Sequence, residues 1–135
     1  MISEKMKVIV HYIKNELDNK MKKYNITATQ LLILELLYIK RDEEVIQKDV
    51  CNHLKLQHST VINILRRLEV KKLITKETKH TSVLKITDEG INLLNKIGFK
   101  TGFVENKLLD GFTDEEKETL SKQLDKMYEN IKEKL

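Results

Sequence analysis

The sequence predicts a mainly α-helical fold with one small β-hairpin, of the α+β class. Apolar residues recur at helical spacing through most of the 135-residue chain, and only two short β-prone segments interrupt them. Proline is absent and glycine occurs four times, which leaves too few turn-forming residues for an all-β sandwich. The length suits one domain. Its core is expected to be aliphatic, because aromatic residues make up only 5% of the chain.

Two helices are predicted before residue 40. The first covers roughly residues 2–23, where six apolar residues are spaced four, three, four, four and four positions apart. The second begins after a capping box, in which Thr27 is followed three residues later by Gln30. Residues 31–39 then form an almost continuous apolar run, so this helix is expected to be buried on most sides.

A helix-turn-helix followed by a hairpin is predicted for the middle of the chain. A short helix over residues 47–54 is joined by a brief connection to another helix that begins near His58 or Ser59. Segments 73–76 and 82–87 are short and β-prone, and the residues between them are polar. These two strands would form a wing beside the helix-turn-helix.

The last third of the chain predicts two more helices, which brings the total to six. One long helix runs from Thr87 or Asp88 to just before Gly111. Gly98 within it is interpreted either as a tolerated kink or as room for a close helix or a ligand. A second capping box at Thr113 begins the last helix, which carries a heptad-like apolar series. The first helix and the last two carry apolar stripes without a strand partner, so they would pack on one another or on a second copy.

Positive charge is concentrated on the helix-turn-helix and the wing. Residues 57–85 contain seven Lys and Arg against two Glu, whereas residues 113–135 carry a net charge of −2. On the second helix of the pair, the face away from the apolar stripe carries Ser, Asn and Arg, the residue types that contact base edges and phosphates. A solvated helix face is the alternative, but the adjoining basic hairpin favours DNA binding.

Five segments together resemble the MarR family of winged helix-turn-helix transcriptional regulators. They are residues 26–34, 47–54, 59–74, 84–90 and 112–116, in the family's order and spacing. The resemblance implies a homodimer built by residues 1–25 and 88–135, and a DNA-binding part over residues 26–87. It also implies a recognition helix in the major groove and a wing at the minor groove of a pseudo-palindromic site. The implied function is that of a repressor relieved by a small-molecule effector.

Candidate DNA-binding residues follow from the helix face and this resemblance together. Those of the recognition helix are Gln57, His58, Ser59, Thr60, Asn63, Arg66 and Arg67. Those of the wing are Lys76, Lys79, His80 and Thr81. Asn63 is the best candidate for reading a base, and Arg66 and Arg67 would bind phosphate or guanine.

Three residues depart from the family pattern. His80 stands where the wing usually carries Arg, so wing binding would be weaker or would strengthen at acidic pH. Lys72 replaces the usual Gly after the recognition helix, which would store about 1 kcal/mol of strain if the backbone there is left-handed. Ile62 replaces a frequent Thr and would contact a thymine methyl or pack at the helix edge.

No cofactor, metal site or enzymatic activity is expected. The phosphate-binding, zinc-protease and serine-hydrolase motifs are absent, and the four histidines lack metal-ligand spacing. Cys51 is interpreted as a buried, inert thiol, with a redox switch as the alternative. No signal peptide or membrane span is found, so a soluble, cytoplasmic protein is expected. The effector site stays unassigned, and a winged-helix module that binds a protein instead of DNA is the rival function.

Overall fold

The computed structural model describes residues 1–78, 82–98 and 103–133. The chain divides into two compact units, Met1–Phe99 and Lys100–Leu135. The elements of the first unit are α1 (Ile2–Met21), α2 (Ala28–Ile39), β1 (Val45–Ile46), α3 (Gln47–Leu54), α4 (His58–Val70), β2 (Ile74–Thr78), β3 (Ser82–Ile86) and α5 (Asp88–Ile97). Those of the second unit are α6 (Phe103–Leu108) and α7 (Asp114–Lys132). None of the helices within the described ranges is long and apolar enough to cross a membrane.

The predicted start of α2 is confirmed. The backbone N–H of Gln30 donates to Thr27 Oγ1 at 3.1 Å, and the Thr27 N–H donates to Gln30 Oε1 at 3.0 Å. In addition, Asp18 of α1 accepts the Ala28 N–H at 2.8 Å. These contacts satisfy three of the four backbone N–H groups that lack a partner within the helix at its N-terminus. They therefore fix both the beginning of α2 and its position beside α1.

The core of the first unit forms around α2. Ile33, Leu34 and Leu37 are almost completely buried, as are Val61 and Leu68 of α4. Five residues of the apolar run 31–39 are buried at the centre of this unit, so α2 is buried on most sides as predicted, whereas Leu32, Tyr38 and Ile39 are exposed. The core is aliphatic throughout the described residues, since it contains no buried Phe or Trp.

The wing belongs to a three-stranded antiparallel sheet with the order β1-β3-β2. β2 and β3 form the predicted hairpin, in which Ile74 pairs with Ile86 and Thr78 with Ser82. The sequence did not predict β1, which pairs Val45 with Leu84 and Ile46 with Val83. Two residues are too few to show the alternation by which a strand is recognised.

The prediction of one long helix after the wing is wrong. α5 ends at Ile97, and Gly98 adopts a left-handed conformation with φ +67°, where its N–H donates to the carbonyl oxygens of Asn95 and Leu94. Gly98 is thus a C-terminal cap and not a kink, since only glycine takes this conformation without steric cost. The described residues consequently contain seven α-helices instead of six. The predicted capping box at Thr113 is confirmed, because Thr113 and Glu116 exchange both hydrogen bonds.

Large apolar side chains that are exposed in the single chain are most numerous on α1 and α7. On α1 these are Ile2, Met6, Val8, Ile9, Val10 and Tyr12. On α7 they are Leu124, Met127, Tyr128 and Ile131, and this helix buries none of its residues. Exposed apolar side chains gathered on one helix are typical of an interaction site.

Candidate nucleic-acid interface

The helix-turn-helix is formed by α3, a three-residue turn and α4. Lys55 ends α3 in a left-handed conformation with φ +56°, and the N–H of Leu56 returns to the Cys51 carbonyl oxygen at 3.2 Å. This closure reverses the chain within three residues. Val61, Leu65 and Leu68 then seat α4 in the core, so the opposite face of α4 is presented to solvent.

The predicted recognition residues lie on that outer face and at the N-terminal end of α4. All seven are exposed: Gln57, His58, Ser59, Thr60, Asn63, Arg66 and Arg67. Ile62 lies among them with 40% of its surface accessible, which favours a role at the surface over packing at the helix edge. The described residues provide no ion-pair or hydrogen-bond partner for Asn63, Arg66 or Arg67, so their donors are available to a ligand.

Two of the seven cations between residues 57 and 85 are used by the fold itself. Lys71 Nζ donates to the carbonyl oxygen of Asn25 and to Gln30 Oε1. Lys85 Nζ donates to the carbonyl oxygens of Arg41 at 3.2 Å and Glu43 at 2.9 Å. These contacts join the ends of sequence-distant elements, and no local pattern predicts them. The count of cations in this segment therefore overstates the charge that a ligand can reach.

The remaining described cations of the segment are exposed. Arg66 and Arg67 lie on α4, Lys72 follows it, and Lys76 lies on β2. Lys76 is thus placed on the wing as predicted. The other wing candidates, Lys79, His80 and Thr81, lie outside the described residues, so the interpretation of His80 stays a prediction.

Lys72 does adopt the left-handed conformation that its position requires, with φ +60°. Its N–H donates to the Glu69 carbonyl oxygen at 2.9 Å, and the next N–H, of Leu73, donates to the Leu68 carbonyl oxygen at 3.0 Å. The Lys72 carbonyl oxygen accepts the Thr87 hydroxyl at 2.7 Å. The C-terminal end of α4 is therefore held by hydrogen bonds to its own last turn and to Thr87, the residue that caps α5.

A glycine fixes how closely α5 approaches this junction. Gly90 is buried in the first turn of α5, and a Cβ atom there would lie 2.4 Å from the Leu73 carbonyl oxygen and 2.7 Å from Ile86 Cγ1. Both distances are too short for atoms that are not bonded, so no side chain fits at residue 90. The glycine of segment 84–90 is thus explained by close packing of α5 against the end of the helix-turn-helix.

Cys51 and His58, which the sequence gave no reason to connect, are in contact across the turn. Cys51 Sγ lies 3.6 Å from His58 Nδ1, and Gln47 Nε2 lies 3.3 Å from the same nitrogen. Cys51 is buried, as predicted, with 6% of its surface accessible. The contact could not be predicted because it depends on the angle between α3 and α4, and not on spacing within either helix.

One carboxyl group of the first unit is electrostatically unusual. Burial raises the pKa of Glu35, in the middle of α2, from 4.5 to about 7. A polar cavity of about 220 Å³ lies at the C-terminal end of α2. It is lined by Leu36, Lys40, Glu43, Glu44, Val45, Asp49 and His53. Within the described residues, no three His, Cys, Asp or Glu side chains are grouped so as to hold a metal ion.

Comparisons with known proteins agree on one class. The chain is 25% identical over 125 residues to the HTH-type transcriptional regulator MhqR of Bacillus subtilis (strain 168), an alignment that covers 90% of this chain and 85% of MhqR. The structure of a MepR–DNA complex from Staphylococcus aureus is similar with a TM-score of 0.90 and 28% identity, covering 97% of this chain and 96% of that one. The regulator MarR of Oenococcus oeni PSU-1 gives a TM-score of 0.82 and 26% identity, with coverages of 96% and 99%.

The family model described as transcriptional regulator SarA/Rot matches residues 15–97. That range runs from the middle of α1 to the last residue of α5, so it includes the helix-turn-helix and the described parts of the wing. The members of this family are regulators and not enzymes, in agreement with the catalytic motifs missing from the sequence. The chain belongs to the SarA/Rot family of MarR-like winged helix-turn-helix transcriptional regulators.

Proposed function

We propose that the chain is a homodimeric, sequence-specific DNA-binding repressor that places one α4 helix in each of two major grooves. The observation that carries this proposal is the exposed outer face of α4, where Asn63, Arg66 and Arg67 have no described partner. Amide and guanidinium groups form bidentate contacts with adenine and guanine edges. The similarity to a MepR–DNA complex over almost the whole chain supports the same mode of binding.

Selection from a random duplex library, with the affinity of the selected duplex measured at two salt concentrations, tests this function. We expect a pseudo-palindrome whose half-sites are about one helical turn apart, and an affinity that falls steeply with salt. A protein-interaction module would select no sequence and would show a flat salt dependence. That outcome would contradict the proposal and favour the rival function.

Two substitutions on α4 separate base reading from phosphate binding. Asn63→Ala is expected to cost about 1–3 kcal/mol at one base position and little on random duplexes. Arg66→Ala, if Arg66 contacts phosphate, should weaken all duplexes alike and reduce the salt slope by about 1. Equal losses for Asn63→Ala on selected and random duplexes would contradict the assignment of Asn63 as a base-reading residue.

Dimerisation through residues 1–25 and 88–135 is the second part of the proposal. The exposed apolar side chains of α1 and α7 support it, because a second copy would cover them. Replacing Leu124 and Ile131 together by Glu should convert the dimer to a monomer in sedimentation equilibrium. The matched control replaces Lys122 and Lys126 by Gln, which changes the charge equally on the polar face of α7. A wild-type protein that sediments as a monomer would contradict this part.

Relief of repression by a small molecule is the third part, and its ligand is unassigned. The predicted dimer helices contain no arginine that could bind a carboxylate in bidentate fashion, which disfavours an aromatic acid. A thermal-shift screen with phenolics, metals and oxidants tests for an effector, because a ligand that binds only the folded state raises the midpoint. A compound that raises the midpoint and releases the selected duplex would support relief. A panel without any shift would favour a ligand-independent regulator.

A further inference from the structure

The first side chain of the recognition helix is held by two residues of α3. His58 begins α4, and its Nδ1 atom faces Gln47 Nε2 at 3.3 Å and Cys51 Sγ at 3.6 Å. Gln47 begins α3 and is partly buried, and Cys51 lies one turn later with its thiol covered. The imidazole is therefore fixed on one edge by the neighbouring helix, although His58 as a whole is exposed.

The chemistry of Gln47 determines which ring nitrogen carries the proton. The amide nitrogen of Gln47 is a donor only, so its contact requires Nδ1 to be an acceptor with a free lone pair. A thiol donates weakly through its S–H group and accepts weakly through its sulfur, so the Cys51 contact is compatible with this form and does not by itself select it. In a neutral imidazole the other nitrogen then carries the hydrogen, so the N–H of His58 is at Nε2. No described residue accepts a hydrogen bond from that atom.

We infer that Gln47 and Cys51 are positioning residues that hold His58 in the Nε2–H form, as a hydrogen-bond donor to acceptors on DNA. This inference rests on the proposed function and deepens it. A donor at this place binds an acceptor oxygen or nitrogen, which DNA offers either on a backbone phosphate or as N7 or O6 of a purine in the major groove. It would not bind the amino groups of cytosine or adenine, which are themselves donors.

The proton position can be measured on the free protein. Histidines labelled with ¹⁵N give long-range proton–nitrogen correlations in which Nε2 is recognised by its coupling to both carbon-bound ring protons. The His58 pattern is assigned as the one that disappears in His58→Gln. We expect Nε2 to have the chemical shift of a protonated nitrogen and Nδ1 that of an unprotonated one. The reverse pattern would overturn the inference, whether or not the protein binds DNA.

A reversal of the hydrogen bond provides the functional test. In Gln47→Glu the carboxylate can only accept. At a pH where the imidazole carries one proton, it favours that proton on Nδ1 and leaves Nε2 without a hydrogen to donate. We expect the Nδ1 signal to move to the protonated range and the affinity for the selected duplex to fall about tenfold. Asn52→Asp introduces the same charge at an exposed position of α3 and controls for repulsion from DNA. Equal losses in the two variants would overturn the role of Gln47.

The acceptor on DNA is identified by combining a substitution of His58 with a chemical change in the duplex and asking whether the two losses of affinity are independent. Each purine of one half-site is replaced in turn by its 7-deaza analogue, and each phosphate by a methylphosphonate. At one position we expect the change to weaken wild type about fivefold and to leave His58→Ala unaffected. A 7-deaza position would assign the base edge, and a methylphosphonate position the phosphate. His58→Gln, which keeps a donor near the Nε2 position, should restore part of the affinity lost in His58→Ala.

The failure of this inference can be distinguished from failure of the proposed function. A wild-type protein that binds the selected duplex with a steep salt dependence, but shows no position coupled to His58, retains the proposed function and overturns the inference. A wild-type protein that binds no duplex overturns both, even if the Nε2–H form is found in the NMR spectrum.

Discussion

Replacement of Lys72 by Gly should stabilise the protein by about 1 kcal/mol. A left-handed conformation costs a residue with a Cβ atom about 1–2 kcal/mol, because Cβ crowds the following carbonyl oxygen. Lys72 adopts it with φ +60° and is held there by the closing hydrogen bonds of α4. Glycine avoids this cost but loses about 0.5–1 kcal/mol more backbone entropy on folding. The difference leaves about 1 kcal/mol, since the exposed Lys72 side chain contributes little packing.

The gain is measured by urea and thermal unfolding at one fixed protein concentration, because the stability of the proposed dimer would depend on concentration. A gain of about 1 kcal/mol corresponds to about 3–4 °C in Tm for a chain of this length. Lys55, with φ +56° in the turn of the helix-turn-helix, provides a second test, and Lys55→Gly should behave in the same way. Lys126→Gly, at an exposed position inside α7, should instead destabilise by about 1 kcal/mol.

Lys72→Ala separates backbone strain from charge. It removes the same cation but keeps Cβ, so it should leave the stability near that of wild type. If Lys72→Gly were no more stable than Lys72→Ala, the gain could not come from relief of the left-handed strain, and the reasoning would be refuted. Both variants lose an exposed cation next to α4, so any shared loss of DNA affinity reports on the charge alone.

Two further predictions concern Glu35 and Gly90. Because burial raises the pKa of Glu35 from 4.5 to about 7, the native state keeps a proton that the unfolded chain releases, and stability is lost as pH rises through this window. Glu35→Gln should therefore raise Tm relative to wild type at pH 8 but not at pH 4, whereas Asp125→Asn on α7 should show no such difference. Gly90→Ala should lower the free energy of unfolding by about 1–3 kcal/mol, because its Cβ would overlap the Leu73 carbonyl oxygen. A loss below about 0.5 kcal/mol in urea unfolding would contradict the close packing of α5.

Local signals were sufficient to predict most of the first unit. The capping box at Thr27, the apolar period of α4 and the β-prone segments of the hairpin each depend on residues a few positions apart. The surface of α4 was predictable for the same reason, since the helical period alone separates buried Val61 from exposed Asn63. The replacement of the usual glycine by Lys72 raised the question of a left-handed backbone without deciding it, and the structure answers it with φ +60°.

The features that could not be predicted from the sequence depend on tertiary contacts, or on a residue whose type is compatible with two local structures. β1 is recognisable only from its partner β3, because Val45 and Ile46 show no period of their own. Gly98 fits both a helix interior and a C-terminal cap, and the apolar residues after it favoured the wrong choice. The contact of His58 with Gln47 and Cys51 depends on the packing of two helices, which no spacing within one helix reveals.

The contacts of the lysines set an upper limit on the salt dependence of DNA binding. Lys71 and Lys85 are bound to the protein's own carbonyl oxygens, so their replacement would alter folding before it altered phosphate binding. Four described cations of the helix-turn-helix and wing stay exposed, and each phosphate neutralised contributes about 0.9 to the slope. From these four cations alone, two protomers would then give a slope no steeper than about −7. A steeper measured slope would require other cations to contact DNA, such as Lys48 of α3, Lys55 in the turn after it, or Lys79 of the wing. Variants that remove the charge of each of these three lysines would identify which of them do.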